Sequence, residues 1–394
     1  MNKEKTDILV IGAGPAGLIA AKTATLKGSH VTVLEEHYDV GIPRHCAGLV
    51  SEKGLKELGI YPNDAFVQNT VSSATFHSPS GLSFKVEGKE KKAYVIERSS
   101  FDKFLAKQAI GFGADMKLGF QAVTLLFRDN YVVGVSGKSG QKVLADVVID
   151  AEGCSSKLIK THGLIAPDSE RLIPAIQFEL DNVDLDSNNV DLFFGKKLAP
   201  DFFAWIIPTS ENSARVGLAS RKTRLSETLL SFIQKHLNKY TISRKYGGVI
   251  YTGQPSKMTY NNGLLVVGDA AGQTKPTTGG GVITGGMCAH LAGKTAAEAA
   301  SNNDFSSSFL KIFERRWKKR FGKELRIMYL ARKFIDALSD KHLDDLFRII
   351  IKKELYRKIE QYGDIDFQSS VLVRLAIEPS FIKYIPFIIK SFYL

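Results

Sequence analysis

The stretch DILVIGAGPAG, residues 7–17, joins a short apolar run to a Gly-x-Gly-x-x-Gly pattern. The run DILVI is apolar and rich in branched side chains, so it predicts a strand buried within a parallel sheet. Residues 15–27 predict a helix, and HVTVL at residues 30–34 predicts a second strand. Together they form a βαβ unit, which is the context that a dinucleotide-binding glycine pattern requires.

Each glycine of the pattern has its own task. Gly12 permits a tight turn, Gly14 lets a pyrophosphate approach the backbone, and Gly17 lets the helix pack closely on the strand. The pyrophosphate would then sit at the helix N-terminus, where free N–H groups and the helix dipole favour negative charge. Glu35 ends the second strand, in position to bind the hydroxyl pair of a ribose. Its carboxylate would repel a 2′-phosphate, so the pattern favours FAD or NAD over NADP.

A second motif, late in the chain, separates FAD from NAD. The run GLLVVGD predicts a buried strand that ends in Asp269. This pattern matches FAD proteins of the glutathione-reductase type, in which such an aspartate binds the ribityl chain and the pyrophosphate. The glycine-rich segment 276–286 follows, and its Gly280 and Gly281 precede a helix predicted from Val282 to Ala300. The N-terminus of that helix would face the flavin and stabilise the negative charge of its reduced form.

Composition limits the class of protein. The chain has 394 residues and a formal net charge of +12, which favours anionic partners. Its three cysteines are too few for a disulfide framework, and with no secretory signal a cytoplasmic protein is expected. Cys154 and Cys288 are expected in the core. No stretch approaches the roughly 20 apolar residues of a membrane span, although the protein could lie on a bilayer.

The order of the predicted elements indicates the domain organisation. Strands of the dinucleotide-binding type occur early, in the middle and late in the sequence, with alternating segments between them. We therefore predict an α/β protein whose FAD-binding Rossmann-like domain, of the glutathione-reductase type, is interrupted by an antiparallel-sheet substrate domain and followed by a helical C-terminal region. The predicted ranges are 1–70, 93–165 and 246–304 for the FAD-binding domain, 71–92 and 166–245 for the substrate domain, and 305–394 for the basic helical region.

Three further segments carry a resemblance to a known family. They are PRHCAGL at 43–49, ERSSFD at 97–102 and FAWIIP at 203–208. With the two glycine-rich motifs, they resemble the geranylgeranyl reductase family of p-hydroxybenzoate-hydroxylase-like flavoproteins. The first segment resembles the Cys-containing flavin loop of the archaeal digeranylgeranylglycerophospholipid reductases. The third resembles their Tyr-x-Trp-x-Phe-Pro motif, from which Phe203 and Ile207 depart.

The resemblance implies a set of site residues and no metal site. It implies that FAD is contacted by Ala16, Glu35, Arg98, Ala122, Asp269, Gly281 and Val282, and that the flavin loop is lined by Cys46, Ala47 and Gly48. It also implies that Trp205, with Phe203 and Pro208, lies in the wall of a lipid tunnel.

The activity that the resemblance implies is saturation of isolated double bonds in the geranylgeranyl chains of archaeal membrane glycerophospholipids. This reaction needs a hydride, which the reduced flavin supplies from N5, and a proton. His45 and Cys46 lie in the predicted flavin loop and are the candidate catalytic proton donors, with ordered water as the alternative. No second Gly-x-Gly-x-x-Gly is present, so the electrons are expected from a transient donor, NAD(P)H or a ferredoxin, and a basic surface suits an acidic ferredoxin.

Two other functions stay open. The segment FAWIIP also resembles the Trp-x-Trp-x-Ile-Pro motif of flavin-dependent halogenases, which allows a flavin monooxygenase or halogenase. Against a hydroxylase, Glu152 replaces the aspartate of the Gly-Ala-Asp-Gly segment that holds flavin and NADPH in those enzymes. The second alternative is a non-catalytic electron-transfer flavoprotein at a membrane.

The C-terminal region carries an apolar stripe among basic residues. Leu310, Phe313, Trp317 and Phe321 recur at helical spacing between many lysines and arginines. A basic amphipathic helix of this kind predicts peripheral binding to the anionic cytoplasmic face of a membrane. In the alternative, the stripe packs on the FAD-binding domain and the charges are solvated. No RNA or DNA module is visible, so nucleic acid is not an expected partner.

Overall fold

A computed structural model describes residues 4–44, 46–88, 93–162, 164 and 166–384. The candidate His45 lies outside the described residues. The strands are β1 (Glu4–Ile11), β2 (Val31–Leu34), β3 (Leu49–Ser51), β4 (Val67–Val71), β5 (Ser73–His77), β6 (Ser83–Glu87), β7 (Ala93–Ile96), β8 (Asp115–Lys117), β9 (Ala122–Arg128), β10 (Tyr131–Gly137), β11 (Lys142–Asp150), β12 (Leu172–Asp181), β13 (Asn189–Phe193), β14 (Ala204–Pro208), β15 (Ser213–Ala219), β16 (Thr241–Tyr251), β17 (Tyr260–Asn261) and β18 (Leu264–Val266). The α-helices are α1 (Pro15–Thr25), α2 (Glu52–Glu57), α3 (Arg98–Gly111), α4 (Lys157–Thr161), α5 (Leu225–His236), α6 (Val282–Asn302), α7 (Ser307–Trp317), α8 (Lys323–Ala337), α9 (Asp340–Lys352), α10 (Tyr356–Tyr362) and α11 (Ser369–Ala376).

The first sheet has eight strands and is built around β1. Its order is β17-β18-β11-β1-β2-β8, and the β9–β10 hairpin joins at β11. β1 runs parallel to β11 and to β2. Ile8 and Val10 point into one apolar core, with α1 and α6, while Leu9 and Ile11 point into a second core under the hairpin. Because both faces are covered, the strand is apolar throughout, which confirms the predicted buried strand.

Helices α1 and α6 pack tightly because small residues face each other. A Cβ on Gly293 would lie 2.3 Å from the carbonyl oxygen of Ala20. α6 begins at Val282, where the sequence predicts it.

The start of α3 differs from what its sequence predicts. Serine is a preferred N-cap residue, so Ser99 or Ser100 is predicted to start this helix. The helix instead begins at Arg98, and Glu97 is the N-cap. The Glu97 carboxylate accepts a hydrogen bond from the Ser100 N–H at 2.6 Å. A glutamate side chain is long enough to cap the first turn as a serine would, and this keeps Arg98 inside that turn.

The second sheet has seven strands drawn from two separate parts of the sequence. Its order is β16-β12-β15-β14-β13-β5-β6. Most neighbours are antiparallel, but β13 and β5 run parallel to each other. β16 pairs with β12 as far as Tyr251, so the expected domain boundary at residue 246 falls inside a strand. The division into domains stays a prediction.

A third, small sheet of β3, β7 and β4 carries the predicted flavin loop. β3 begins at Leu49, directly after that loop, and pairs with β7. The Ile96 N–H, at the end of β7, donates to the Gly48 carbonyl at 2.8 Å. The end of the loop is therefore fixed to a strand that leads straight into α3.

The apolar stripe of the C-terminal region is buried, which corrects the prediction that it meets lipid. Leu310, Phe313, Trp317 and Phe321 belong to the core that also contains the buried face of α6. The Trp317 indole N–H donates to Thr259 Oγ1 at 2.9 Å. The stripe therefore packs on the first sheet's helices. Within the described ranges, no helix combines the length and apolarity needed to cross a membrane.

Candidate cofactor and active site

The fingerprint loop between β1 and α1 needs two of its glycines for packing and leaves the third open. Gly12 has a φ of +96°, and a Cβ there would lie 2.5 Å from the carbonyl oxygen of Ala151, the residue directly after β11. A Cβ on Gly17 would lie 1.9 Å from the Gly12 carbonyl oxygen. A Cβ on Gly14 would meet no atom within 4 Å. Gly14, the N-cap of α1, therefore leaves free space at a helix N-terminus.

That free space belongs to a groove of about 700 Å³ along the carboxyl ends of the first sheet's strands. Six of the predicted cofactor residues line it: Gly12, Gly14, Glu35, Cys46, Arg98 and Ala122. Cys154 lines the groove as well, although it was expected in the core, whereas Cys288 is buried as expected.

The Glu35 carboxylate is held in place at the edge of the groove. Its Oε2 accepts a hydrogen bond from the Ala13 N–H at 2.8 Å, which ties the end of β2 to the fingerprint loop. Its Oε1 accepts from the His37 N–H at 3.0 Å and lies 2.6 Å from His37 Nδ1. The carboxylate is thereby oriented before any ribose arrives.

Arg98 provides a fixed positive charge next to the Cys46 thiol. Its Nε and Nη2 bond both carboxylate oxygens of Asp102, at 3.0 and 2.9 Å. Burial opposes the charged form, but the nearby Asp102 and Cys46 raise the pKa of Arg98 overall. Asp102 follows Arg98 by one helical turn, a spacing visible in the sequence that predicts such a pair.

The Asp269 carboxylate lies at the N-terminus of α6. A Cβ on Gly281, the N-cap of that helix, would be 2.6 Å from Asp269 Oδ1. A Cβ on Gly268 would be 2.9 Å from the Ala16 methyl, so the two glycine-rich loops approach each other here. Burial raises the pKa of Asp269, and the charge of Arg98 lowers it in part.

Asp150 and Glu152 form a close carboxyl pair beside the fingerprint loop. Asp150 Oδ1 accepts from the Glu152 N–H at 3.0 Å, and Glu152 Oε1 accepts from the Leu158 N–H at 2.9 Å. Burial, together with the charge of Glu152, raises the pKa of Asp150 well above its usual value, and burial also raises the pKa of Glu152. The residue that departs from the hydroxylase pattern therefore accepts a hydrogen bond from the first turn of α4 in this chain.

These features fit FAD. The groove joins an open helix N-terminus, suited to a pyrophosphate, to an oriented carboxylate suited to ribose hydroxyls. The same groove reaches the loop of Cys46, and a second helix N-terminus with Asp269 lies against the first loop. The predicted residues Gly280 and Val282 flank the N-cap of that second helix.

The predicted substrate residues lie behind the flavin loop. Phe203 and Trp205 are buried in an aromatic cluster with Phe202, and Ala47 of the loop packs against it. The rings of Phe203 and Trp205 meet edge to face, with centroids 6.2 Å apart. Pro208 ends β14, the strand that also carries Trp205, and its carbonyl accepts a hydrogen bond from the Asn69 amide at 3.0 Å.

The C-terminal region contributes a buried ion pair to the second glycine-rich loop, which sequence reasoning missed. Lys275 Nζ lies 2.6 Å from Asp366 Oδ1, and both side chains are buried. Asp366 also accepts a hydrogen bond from Ser51, the N-cap of α2. Thr277 Oγ1 donates to Gln368 Oε1 at 2.6 Å. No local pattern signals pairings between residues so distant in sequence.

Protein-family models match one segment in each of the two large sheets. The model of the geranylgeranyl reductase catalytic domain matches residues 172–254, and the model of an NAD(P)-binding Rossmann-like domain matches residues 10–45. A digeranylgeranylglycerophospholipid reductase 2 of Methanopyrus kandleri is 33% identical over 400 residues, covering 98% of this chain and 99% of the relative.

Solved structures agree with the fold. A geranylgeranyl bacteriochlorophyll reductase-like protein of Thermoplasma acidophilum superposes with a TM-score of 0.88 at 27% identity, covering 100% of this chain and 99% of that one. A flavin-dependent brominase superposes with a TM-score of 0.72 at 16% identity, covering 95% and 98%, which is a likeness of fold alone. These comparisons confirm the predicted fold class and the FAD cofactor.

Proposed function

Because the chain belongs to the geranylgeranyl reductase family, we propose that it is an FAD-dependent reductase that saturates isolated double bonds in the geranylgeranyl chains of membrane glycerophospholipids. One observation carries the proposal: the Cys46 loop separates the cofactor groove from a buried aromatic cluster. An apolar chain received on the cluster side would meet the cofactor across that loop.

Each part of the site has a task in this reaction. FAD, when bound and reduced, supplies the hydride for one carbon of the double bond. The open N-terminus of α1 holds phosphate oxygens, and Glu35 orients the ribose. Phe203 and Trp205 keep water away from the chain and orient it, because positioning lowers the barrier. Cys46 Sγ holds a proton at the loop and delivers it to the other carbon.

Incubation of dithionite-reduced protein with digeranylgeranylglyceryl phosphate tests the proposal directly. We expect the lipid to gain mass in steps of two hydrogens, followed by mass spectrometry, and the oxidised protein serves as the control. An unchanged lipid with full flavin occupancy would contradict the proposal.

Separate assays of the same protein test the alternatives. A monooxygenase or halogenase would oxidise NADPH and consume oxygen when an aromatic substrate is added. An electron-transfer flavoprotein would be reduced and reoxidised reversibly with no change in any lipid.

We also propose a peripheral location on an anionic membrane face, where such a substrate resides. Since the apolar stripe is internal, contact would be made by charged groups, and Lys311, Arg315 and Lys319 are exposed on this region. Cosedimentation with phosphatidylserine vesicles, compared with neutral vesicles, tests this. Reversing these three charges should lower binding to the anionic vesicles, and equal binding to both vesicle types would contradict the proposal.

A transient electron donor, NAD(P)H or an acidic ferredoxin, completes the proposal. Stopped-flow reduction of the bound flavin by each donor distinguishes them. Electrostatic docking of a ferredoxin would slow as salt is raised.

A further inference from the structure

A polar row crosses three strands of the second sheet. Gly217 on β15 pairs with Gln177 on β12 and with Trp205 on β14. Because Gly217 has no side chain, the Trp205 indole lies over it, and a Cβ there would be 2.4 Å from indole Cζ2. The indole N–H donates to Gln177 Oε1 at 3.0 Å. Trp205 and Gln177 thus meet across the strand that separates them.

Gln177 extends this row to the flavin loop. Its Nε2 donates to the carbonyl oxygen of Cys46 at 3.3 Å. Gln177 and Trp205 are each only 6% exposed, so bulk water does not replace a partner that is removed. One buried amide therefore bonds both the tryptophan of the aromatic cluster and the loop that carries the thiol.

Arg215, also on β15, holds the next part of the loop. Its Nη1 donates to the carbonyl oxygens of Ala47 and Ile96, at 3.0 and 2.9 Å, and Nη2 donates to Gln68 Oε1 at 2.6 Å. Gly48 has a φ of +80°, and a Cβ there would lie 2.3 Å from Arg215 Nη1. The loop backbone is packed directly on a guanidinium group that is 3% exposed.

The loop geometry in turn sets the place of the thiol. The Gly48 N–H donates to Cys46 Sγ at 3.3 Å. The two carbonyls held by Gln177 and Arg215 belong to Cys46 and Ala47, the residues immediately before that N–H.

We propose that Gln177 and Arg215 are positioning residues that hold the Cys46 thiol at the cofactor groove, and that the Trp205–Gln177 bond couples this position to the aromatic cluster. The inference rests on the proposed function, since it concerns the same site. Two polar residues on strands thus keep the loop that carries the thiol at a fixed position relative to the sheet that receives the lipid.

Alkylation of Cys46 in the FAD-free protein tests the proposal without using activity. Iodoacetamide labelling is followed for each cysteine peptide by mass spectrometry. With Gln177→Leu, we expect Cys46 to react about fivefold faster, the factor that loss of one net hydrogen bond gives. Cys154, which lines the same groove, is the internal reference and keeps its rate.

Two further variants make the result decisive. Trp205→Phe keeps an aromatic ring and removes the indole N–H, so Cys46 labelling should accelerate by a smaller factor. This variant also tests the proposal if Gln177→Leu does not fold. Gln108→Leu is the matched control, because Gln108 lies on α3 and accepts from Lys22, and it should leave the Cys46 rate unchanged. An unchanged Cys46 rate in Gln177→Leu, or equal acceleration of Cys46 and Cys154, would overturn the proposal.

A kinetic readout with the complete enzyme separates this proposal from the proposed function. We expect Gln177→Leu to lower kcat for lipid reduction and to leave KM for the lipid unchanged, because the substitution releases the loop but keeps the aromatic rings that receive the lipid. If the unaltered protein reduces no lipid, the proposed function fails while the alkylation comparison still decides the role of Gln177.

Discussion

The fingerprint loop lines the cofactor groove, a second glycine-rich loop lies close to it, and the chain closes the two loops in opposite ways. The fingerprint loop is closed by backbone: Gly17 packs on the Gly12 carbonyl, and Gly12 packs on the carbonyl of Ala151, directly after the adjacent parallel strand β11. These contacts follow from the βαβ unit itself. The same structure is therefore implied wherever the pattern stands between a buried strand and a helix.

The second loop is closed by side chains from the far end of the chain. Lys275 is paired with Asp366, and Thr277 is bonded to Gln368. The glycines of this loop predict closeness to a ligand, but they carry no information about what holds the loop. The comparison teaches that a local motif can be complete in one loop and depend on a distant region in the other.

Removing Asp366 should have the largest effect on the second loop. Asp366→Ala leaves the Lys275 ammonium buried and unpaired, which lowers the free energy of unfolding by about 3–5 kcal/mol. Urea unfolding measures this change. The double variant Lys275→Met/Asp366→Leu should recover most of it, and Lys53→Ala, which breaks an exposed pair with Asp364, should lose only about 0–1 kcal/mol. Equal losses of unfolding free energy in the buried and exposed pairs would contradict the role proposed here for the Lys275–Asp366 pair.

In the fingerprint loop, replacing either Gly17 or Gly14 by alanine should separate an effect on stability from an effect on FAD binding. Gly17→Ala places a methyl against the Gly12 carbonyl and should lower the free energy of unfolding of the FAD-free protein by about 3 kcal/mol, the upper end for overpacking. Gly14→Ala should leave stability within about 0.5 kcal/mol, yet weaken FAD binding, because its methyl enters the groove. Urea unfolding and FAD fluorescence titration measure the two effects. A similar stability loss in both variants would count against this interpretation.

The carboxyl pair beside the fingerprint loop predicts a pH dependence. The pKa of Asp150 is raised from its usual 3.8, so the folded state binds more protons than the unfolded state above that pH. Its contribution to stability is therefore fully present below about pH 3.8 and is lost as the pH rises through the raised pKa.

Asp150→Asn should make this decline shallower and stabilise the FAD-free protein at neutral pH. Urea unfolding between pH 4.5 and 8 measures the slope. Asp146→Asn, on the same strand but paired with the exposed Lys5, is the control. Identical slopes for Asp150→Asn and the unaltered protein would refute the assignment.

The smallest effect is expected at the edge of the second loop. Thr277→Val removes the hydroxyl that donates to Gln368 and should lower the free energy of unfolding by about 1 kcal/mol. Thr278→Val, at the exposed neighbouring residue, is the matched control. Differential scanning fluorimetry of both proteins gives the comparison, and matching melting temperatures would show that the Thr277 bond contributes nothing.

The sequence predicts the helices and strands that are buried on all sides or along one regular face. β1, α1 and α6 match their predicted places because an apolar run or a glycine pattern fixes them locally. The cap of α3 is mispredicted because serine and glutamate can both accept from a first-turn N–H. The C-terminal stripe allows two partners, lipid or protein, and only the core formed with α6 decides between them.

Many residues that line the groove could be predicted from the sequence, but the residues that hold the flavin loop in place could not. Gly12, Glu35 and Arg98 lie in recognisable motifs and line it. Gln177 and Arg215 are polar residues in alternating strands, which predict a solvated face. Their burial against the flavin loop depends on how the second sheet lies on the third, and no local pattern encodes that.

The separation of 91 residues between Lys275 and Asp366 has a consequence for biosynthesis. As the chain leaves the ribosome, the fingerprint loop obtains its packing partner once β11 has emerged. The second loop has to wait for residue 366, 91 residues after Lys275 has emerged. A nascent chain stopped between these two points would therefore have its fingerprint loop closed while the second loop still lacked the partner of Lys275.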